Sequence, residues 1–167
     1  AAGEADVTSL ANGGFAATGA AGGLTDLNVF APNFSTAGSA LNLPGTGGHV
    51  AQLSNGNMVI ATDTAGANSF TIRTPAGAAV VNSTPFGPPG GAELDIAALR
   101  NGGFVAVQSE NGLDGRRFMG FTQFNNAGVI LNSELINADP GLANPAIAAL
   151  DDGGFAIAYQ NGNQVHY

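Results

Sequence analysis

The chain has 167 residues, a formal net charge of −8 at pH 7 and no cysteine. Disulfides, thiol nucleophiles and thiolate metal ligands are therefore excluded. Its four basic residues are all arginine, so lysine Schiff-base chemistry is excluded as well. An acidic chain is a poor match for the phosphates of nucleic acid or for an anionic membrane. We expect no nucleic-acid partner, and no membrane insertion, because no apolar run approaches the roughly 20 residues of a membrane-spanning helix.

The composition is that of a folded chain. Only 10% of the residues are charged and 44% are hydrophobic, which is the reverse of the balance found in disordered proteins. The length corresponds to one domain, which we assign to residues 1–167.

A nine-residue segment recurs four times and begins at Val7, Val50, Ile96 and Ile147. Each copy has a β-branched residue, two small or polar residues, leucine, any residue, Asn or Asp, glycine, glycine or Asn, and then Phe or Met. Asn-Gly or Asp-Gly between two apolar runs is the strongest short signal for a β-hairpin. The outgoing strands are nearly continuously apolar, which predicts cover on both faces.

A second hairpin is predicted after each of the first three copies. Segments 34–38, 73–77 and 124–128 align with one another, and each is predicted to turn at its Ala-Gly pair. No segment has a sustained helical period, so we expect almost no helix. The predicted units span residues 5–47, 48–92, 93–143 and 144–167.

Four antiparallel strands in each unit of this length are typical of a β-propeller blade. We therefore predict an all-β fold of propeller-like repeats. The last unit supplies one hairpin, and a third strand is expected to begin only at Tyr167, which makes about three and a half blades. The chain is then a fragment of a longer propeller, part of a ring closed by oligomerisation, a four-bladed ring completed by residues 164–167 and the N-terminal residues, or an open stack. The fragment and the partial ring are favoured.

Residues 145–159, PAIAALDDGGFAIAY, resemble a repeat of large secreted bacterial proteins that reads approximately P-x-V-A-A-L-x-D/N-G-G-F-V-V-x-W. Segment 113–118, LDGRRF, resembles the second half of that repeat. The resemblance covers essentially the whole chain and is clearest in the third and fourth copies. Such repeats commonly lie beside hemolysin-type calcium-binding (RTX) segments in proteins exported by type I secretion. The resemblance therefore implies a secreted or cell-surface location.

The loop around Glu110 and Asp114 offers two carboxylates and the Asn111 amide within six residues. Oxygen ligands of this kind are what calcium prefers. We predict a calcium site with Glu110 and Asp114 as ligands, and calcium is the one cofactor that the sequence suggests; the alternative is a solvated loop. The RTX nonapeptide G-G-x-G-x-D-x-U-x does not occur in this sequence, so the standard RTX sites do not carry over. Asp152 is interpreted as a turn residue.

Arg116, Arg117 and Phe121 are the predicted ligand-binding residues. An arginine pairs well with a carboxylate or an acidic sugar. The alternative for the two arginines is charge on an edge strand that discourages aggregation. Other aromatic residues are candidates for stacking against a sugar: Phe30, Phe34, Phe118, Phe124 and Tyr159. The residues at the repeated aromatic position are predicted to lie in the core: Phe15, Met58, Phe104 and Phe155.

The predicted function is a non-catalytic extracellular interaction or assembly module that serves adhesion, glycan recognition or an extracellular structure. Its predicted partner is a glycan or a cell-surface component. One alternative is part of an extracellular enzyme acting on polysaccharide, which requires paired carboxylates. Another is a fibre or surface-layer subunit that self-associates through open strand edges. The histidines, His49 and His166, are interpreted as surface residues.

Overall fold

A computed structural model describes residues 5–64, 67–87, 91–112 and 116–167. Fifteen β-strands and no helix occur in these residues, which confirms the predicted all-β fold. The strands form four small antiparallel sheets, arranged as the blades of a four-bladed β-propeller that is not closed. No helix in this part of the chain is long and apolar enough to cross a membrane.

Each blade is built from strands that are consecutive in sequence. Blade 1 contains β1 (Ala5–Ser9), β2 (Phe15–Ala21), β3 (Leu24–Phe30) and β4 (Thr36–Pro44). Blade 2 contains β5 (Thr46–Gln52), β6 (Met58–Thr64), β7 (Ala67–Arg73) and β8 (Ala79–Phe86). Blade 3 contains β9 (Gly91–Ala98), β10 (Phe104–Asn111), β11 (Arg117–Phe124) and β12 (Ile130–Asp139). Blade 4 contains β13 (Leu142–Ala149), β14 (Phe155–Asn161) and β15 (Gln164–His166).

Blade 4 corrects the prediction that a third strand begins only at Tyr167. Strand β15 already pairs with the end of β14, so this blade has three strands. The two strands are joined by a two-residue turn, Gly162-Asn163, in which Gly162 has a φ of 58°. Gly-Asn between two strands is a further short hairpin signal.

The repeated turn lies where it was predicted, and its asparagine acts through its side chain and not through a left-handed backbone. In the first copy only Gly13 has a left-handed φ, of +84°. The Asn12 side chain instead accepts a hydrogen bond from the Gly14 N–H at 3.0 Å. Asp152 accepts from Gly154 at 2.9 Å in the same way, which supports its interpretation as a turn residue.

The second turn lies at Ala-Gly in blades 2 and 3, as predicted, but the prediction for blade 1 is wrong. There the chain turns over residues 31–35, and residues 36–38 already belong to β4. Phe34 therefore occupies the turn position that Gly77 and Gly128 hold in the next two blades. It has a φ of 65°, which a bulky side chain rarely adopts.

The first strand of each blade is innermost, and β1, β5, β9 and β13 contact one another in sequence. We call the side of a blade that meets the next blade its forward face. Its inner-strand residues are Thr8, Ala51, Ala97 and Ala148 in the four blades. The opposite side is the rear face, and its inner-strand residues are Val7, Val50, Ile96 and Ile147.

Three apolar seams, each joining a forward face to the next rear face, form the core. The first seam buries Leu10, Ala16, Leu27, Val29 and Leu43 of blade 1 with Val50, Met58 and Ile60 of blade 2. The second buries Ala51, Leu53, Val59, Ala61, Phe70, Ile72 and Phe86 of blade 2 with Leu94, Ile96, Phe104, Ala106 and Phe124 of blade 3. The third buries Val107, Met119 and Leu142, with Ile147, Ile157 and Tyr159 packed against them.

Carboxylates tie the inner strands together across two of the seams. The inner edge of each sheet has no neighbouring strand within the blade, so its backbone N–H groups need other acceptors. Asp6 Oδ2 accepts the N–H of Val50 from blade 2 at 2.9 Å. Asp95 Oδ2 accepts the N–H of Ile147 from blade 4 at 2.9 Å. We call this arrangement the carboxylate clasp.

His49 holds the corresponding position in blade 2. Its Nδ1 lies 3.5 Å from Asp95 Oδ1, and the His49 side chain is 23% exposed. The interpretation of His49 as an ordinary surface residue is therefore wrong, because its ring lies between blades 2 and 3.

The clasp gives a test of what holds the blades together. We expect Asp95→Ala to destabilise the fold by about 2 kcal/mol, because the Ile147 N–H loses its acceptor. Denaturant unfolding measures the change. Asp151→Ala is the control: Asp151 is 93% exposed and pairs with Arg100, so its loss should cost at most about 0.5 kcal/mol. Equal losses for the two variants would show that the clasp has no special importance.

Candidate functional site

Arg117 takes part in the contact between blades 3 and 4. Strand β11 lies between β10 and β12, so the edge-strand interpretation is wrong. The Arg117 Nη2 donates to Ser109 Oγ at 2.7 Å and lies 3.3 Å from Glu93 Oε2. The same Glu93 oxygen accepts the N–H of Asn144 from blade 4 at 2.6 Å. This network positions β13 and engages the guanidinium from within the protein.

The other two predicted ligand-binding residues lie in different surroundings. Arg116 precedes β11 and is exposed. Phe121 is half-buried, and its ring centroid lies 5.0 Å from that of Phe155 in blade 4, edge to face. Phe121 therefore contacts blade 4 directly, and Arg117 is linked to blade 4 through Glu93. Arg116 is the exposed member of the three. Binding of a ligand by these residues stays a prediction.

The repeated aromatic position is buried in the middle of the structure and less so at its ends. Met58 and Phe104 are fully buried, as predicted. Phe124 is also buried, so its prediction as a sugar-stacking residue is wrong. It stacks on Phe104 with centroids 4.6 Å apart inside the second seam. Phe15 and Phe155 are only half-buried.

Blade 1 carries a similar aromatic stack on its rear face. Phe15 and Phe30 stack with ring centroids 4.7 Å apart. Phe34 contacts Phe15 edge to face at 5.7 Å and is 76% exposed. We call these three rings the rear aromatic cluster. Two of them, Phe15 and Phe30, correspond in the repeat to Phe104 and Phe124, which blade 3 buries completely.

Glu110 belongs to a polar cluster between blades 2 and 3. It is 8% exposed, and its Oε1 accepts a hydrogen bond from Gln108 Nε2 at 2.5 Å. The Gln108 Oε1 in turn accepts from Asn68 Nδ2 at 3.1 Å. Burial raises the pKa of Glu110 from 4.5 to about 7, and the hydrogen bond from Gln108 opposes the rise. A carboxyl of this kind is partly protonated at neutral pH.

Only one of the two predicted calcium ligands, Glu110, lies within the described residues. Asp114 lies outside the described residues, so its position relative to Glu110 is not part of the structure. Within the described ranges, no group of three or more His, Asp or Glu side chains is arranged to hold a metal ion. The calcium site stays a prediction.

Sequence reasoning missed the three acidic residues that join the blades: Asp6, Glu93 and Asp95. A signal was present for two of them, because Asp6 and Asp95 directly precede the β-branched residue that starts a repeat copy. The two aspartates hold equivalent positions in their repeat copies, but the partner of each carboxylate is a backbone N–H more than 40 residues away in the sequence. Because every residue except proline has a backbone N–H, the sequence does not show which residue is the partner.

Comparisons with known proteins give no family. The sequence matches no protein-family model, and no curated protein is significantly similar to it. The likeness to secreted bacterial repeats therefore rests on the repeat residues alone.

The buried Glu110 predicts a pH dependence of stability. The folded state holds its proton up to a pH of about 7, whereas the unfolded chain loses it near 4.5. Between these values the unfolded state binds fewer protons, so the free energy of unfolding falls as pH rises, by about 3 kcal/mol at most. We expect Glu110→Gln to remove this fall, because glutamine does not ionise; its side-chain oxygen can still accept the hydrogen bond from Gln108. Urea unfolding at pH 5 and pH 8 measures it.

Glu134→Gln is the matched control for this measurement. Glu134 is exposed on β12, so its substitution should retain the wild-type difference between the two pH values. A wild-type protein that is equally stable at both pH values would contradict the account of Glu110.

The calcium prediction has a direct thermal test. If Glu110 and Asp114 bind calcium, EDTA lowers the wild-type Tm and added calcium restores it, since a ligand that binds only the folded state stabilises it. Asp114→Asn should abolish the response while leaving the fold intact by circular dichroism. An unchanged wild-type Tm in EDTA removes calcium from consideration.

Proposed function

We propose that the chain is a non-catalytic interaction or assembly module, secreted or displayed on a bacterial surface. The observation that carries the proposal is that the two end faces of the propeller expose apolar residues of the kind that the inner seams bury. Contiguous exposed apolar surface on a soluble protein marks a site of interaction. Among adhesion, glycan recognition and extracellular structure, this surface favours assembly.

The rear face of blade 1 is one of these surfaces. Val7 is 63% exposed, whereas Val50 and Ile96 at the equivalent positions are 4% and 8% exposed. Beside Val7 in the sheet lies the rear aromatic cluster, with Phe34 largely exposed. Aromatic residues of this kind are enriched in the central contacts of protein interfaces.

The forward face of blade 4 is the other surface. Leu150 is 43% exposed, whereas Leu53 and Leu99 at the equivalent positions are each 2% exposed. Ala146 and Ala148 on β13 are also exposed. The side chains on this face are small and aliphatic, so a bulky partner can approach its backbone closely.

Polar side chains of the inner strands support the same proposal. Asp6, Glu93 and Asp95 accept hydrogen bonds from the backbone of another blade. Their chemistry is thus committed to holding the scaffold. Repeated blades that form a scaffold leave their turns, rims and end faces for partners.

The rival function is part of an enzyme acting on polysaccharide, and one observation favours it. Glu110 is a buried carboxyl with a raised pKa, which is the property of a general acid in glycoside cleavage. Its described hydrogen bond is to Gln108, within the contact between blades 2 and 3. The assembly proposal explains more of the surface, and the rival is kept as an outcome of the test.

Incubation with a panel of neutral and acidic polysaccharides separates the two functions. We expect the purified protein to release no reducing ends, and its sedimentation coefficient to rise either with its own concentration or with added polysaccharide. Reducing ends that appear with wild type and disappear with Glu110→Gln would establish the enzyme instead. Glu134→Gln is the control for a general effect of carboxylate removal.

A further inference from the structure

We propose that the partner of the end faces is a second copy of this chain, bound head to tail. The forward face of blade 4 in one copy then receives the rear face of blade 1 in the next. This inference rests on the proposed assembly function and names its partner.

The repeat itself supplies the argument for a second copy. Each of the three seams joins the forward face of one blade to the rear face of the next. The two uncovered end faces are one forward face and one rear face. Together they are the two halves of one more seam of the same kind. A contact that joins different faces of identical chains is heterologous and either closes a ring or continues as a fibre.

The aromatic residues match this assignment. In blade 3 the stacked pair Phe104–Phe124 meets Phe70 of blade 2 edge to face, with centroids 5.2 Å and 4.9 Å away. The pair Phe15–Phe30 has nearly the same stacking geometry on blade 1. It is therefore built to receive a forward face.

Phe34 restricts which forward face fits. An added Cβ at the equivalent Gly77 would clash with the carbonyl oxygen of Ser39 in the preceding blade, and one at Gly128 would lie 2.7 Å from the Phe70 ring. A partner seated on blade 1 must leave this space open for a phenylalanine.

The inner strands define the register of the proposed seam. Asp6, His49, Asp95 and Ala146 hold equivalent positions in the four blades. At the seam between blades 2 and 3, blade 2 contributes the forward face and blade 3 the rear face. Here His49 of blade 2 lies beside Asp95 of blade 3. In the head-to-tail seam, Ala146 takes the place of His49, and Asp6 of the second copy takes the place of Asp95.

This register predicts opposite effects for two substitutions at one exposed residue. Ala146→His copies the His49–Asp95 contact and should tighten self-association about fivefold. Ala146→Asp places a second carboxylate opposite Asp6 and should weaken it. Phe34→Asp should weaken it from the other side, and aspartate tolerates the left-handed backbone at this turn. Sedimentation velocity and native mass spectrometry measure association, and circular dichroism verifies the fold of each variant.

Mixing the two weakened variants tests the head-to-tail arrangement itself. Phe34→Asp retains an intact forward face, and Ala146→Asp retains an intact rear face. We expect each variant alone to be monomeric and the mixture to form a one-to-one pair and nothing larger. Wild type should form a dimer or a ladder of larger masses. Salt should strengthen both associations, because it screens the repulsion between chains of charge −8.

Three results would each overturn the inference. The wild type is monomeric at every concentration, the mixture of the two variants does not pair, or none of the three substitutions changes the association. A monomer that still binds polysaccharide would overturn only the second-copy partner and leave the proposed function. A protein that neither associates nor binds polysaccharide overturns both.

Discussion

The unpaired inner edge of each sheet is the constraint on which this architecture depends. A blade pairs its first strand on one side only, and buried backbone N–H groups without an acceptor are costly. Asp6 and Asp95 meet this need with a carboxylate from the preceding blade. Each carboxylate also accepts the N–H that follows it in its own strand, and this second hydrogen bond orients it toward the next blade. The clasp thus fixes the register between blades 1 and 2 and between blades 3 and 4.

The small side chains of the sequence follow from this close approach. Alanine on the facing sheets leaves room for the few large residues, such as Phe70 and Phe104, which fill the second seam. Gly77 and Gly128 show how close the contact is, since a single Cβ would clash with the preceding blade. A glycine-rich composition usually weakens strands. Here it is compensated by apolar packing between the sheets.

Much of the fold was readable from the sequence because its signals are local. The Asn-Gly and Asp-Gly turns place the hairpins, and their fourfold recurrence predicts the blades. The errors arose where a residue acts over a distance or departs from the repeat. Phe34 concealed the turn of blade 1 because phenylalanine stands where glycine was expected. Phe124 was assigned to a surface because its burial depends on blade 2, which its own sequence context does not contain.

The candidate site was less readable for the same reason. Arg117 and Glu110 both attract attention as charged residues near a loop, yet Arg117 is engaged by Glu93 of another strand and Glu110 by Gln108 of its own strand. A carboxylate in a solvated loop and a carboxylate in a seam look alike in sequence. Only the burial pattern of β10, in which the residues before Asn111 are all buried, separates them.

Opposing forces act on the end faces of this open propeller. An apolar face that matches an internal seam invites association, and an exposed inner strand invites pairing. The net charge of −8 opposes contact between any two copies, whatever their orientation. Apolar burial supplies attraction that is also largely indifferent to orientation. Selectivity for one arrangement must then come from positions at which the blades differ, among them Phe34 and the residues at the clasp position.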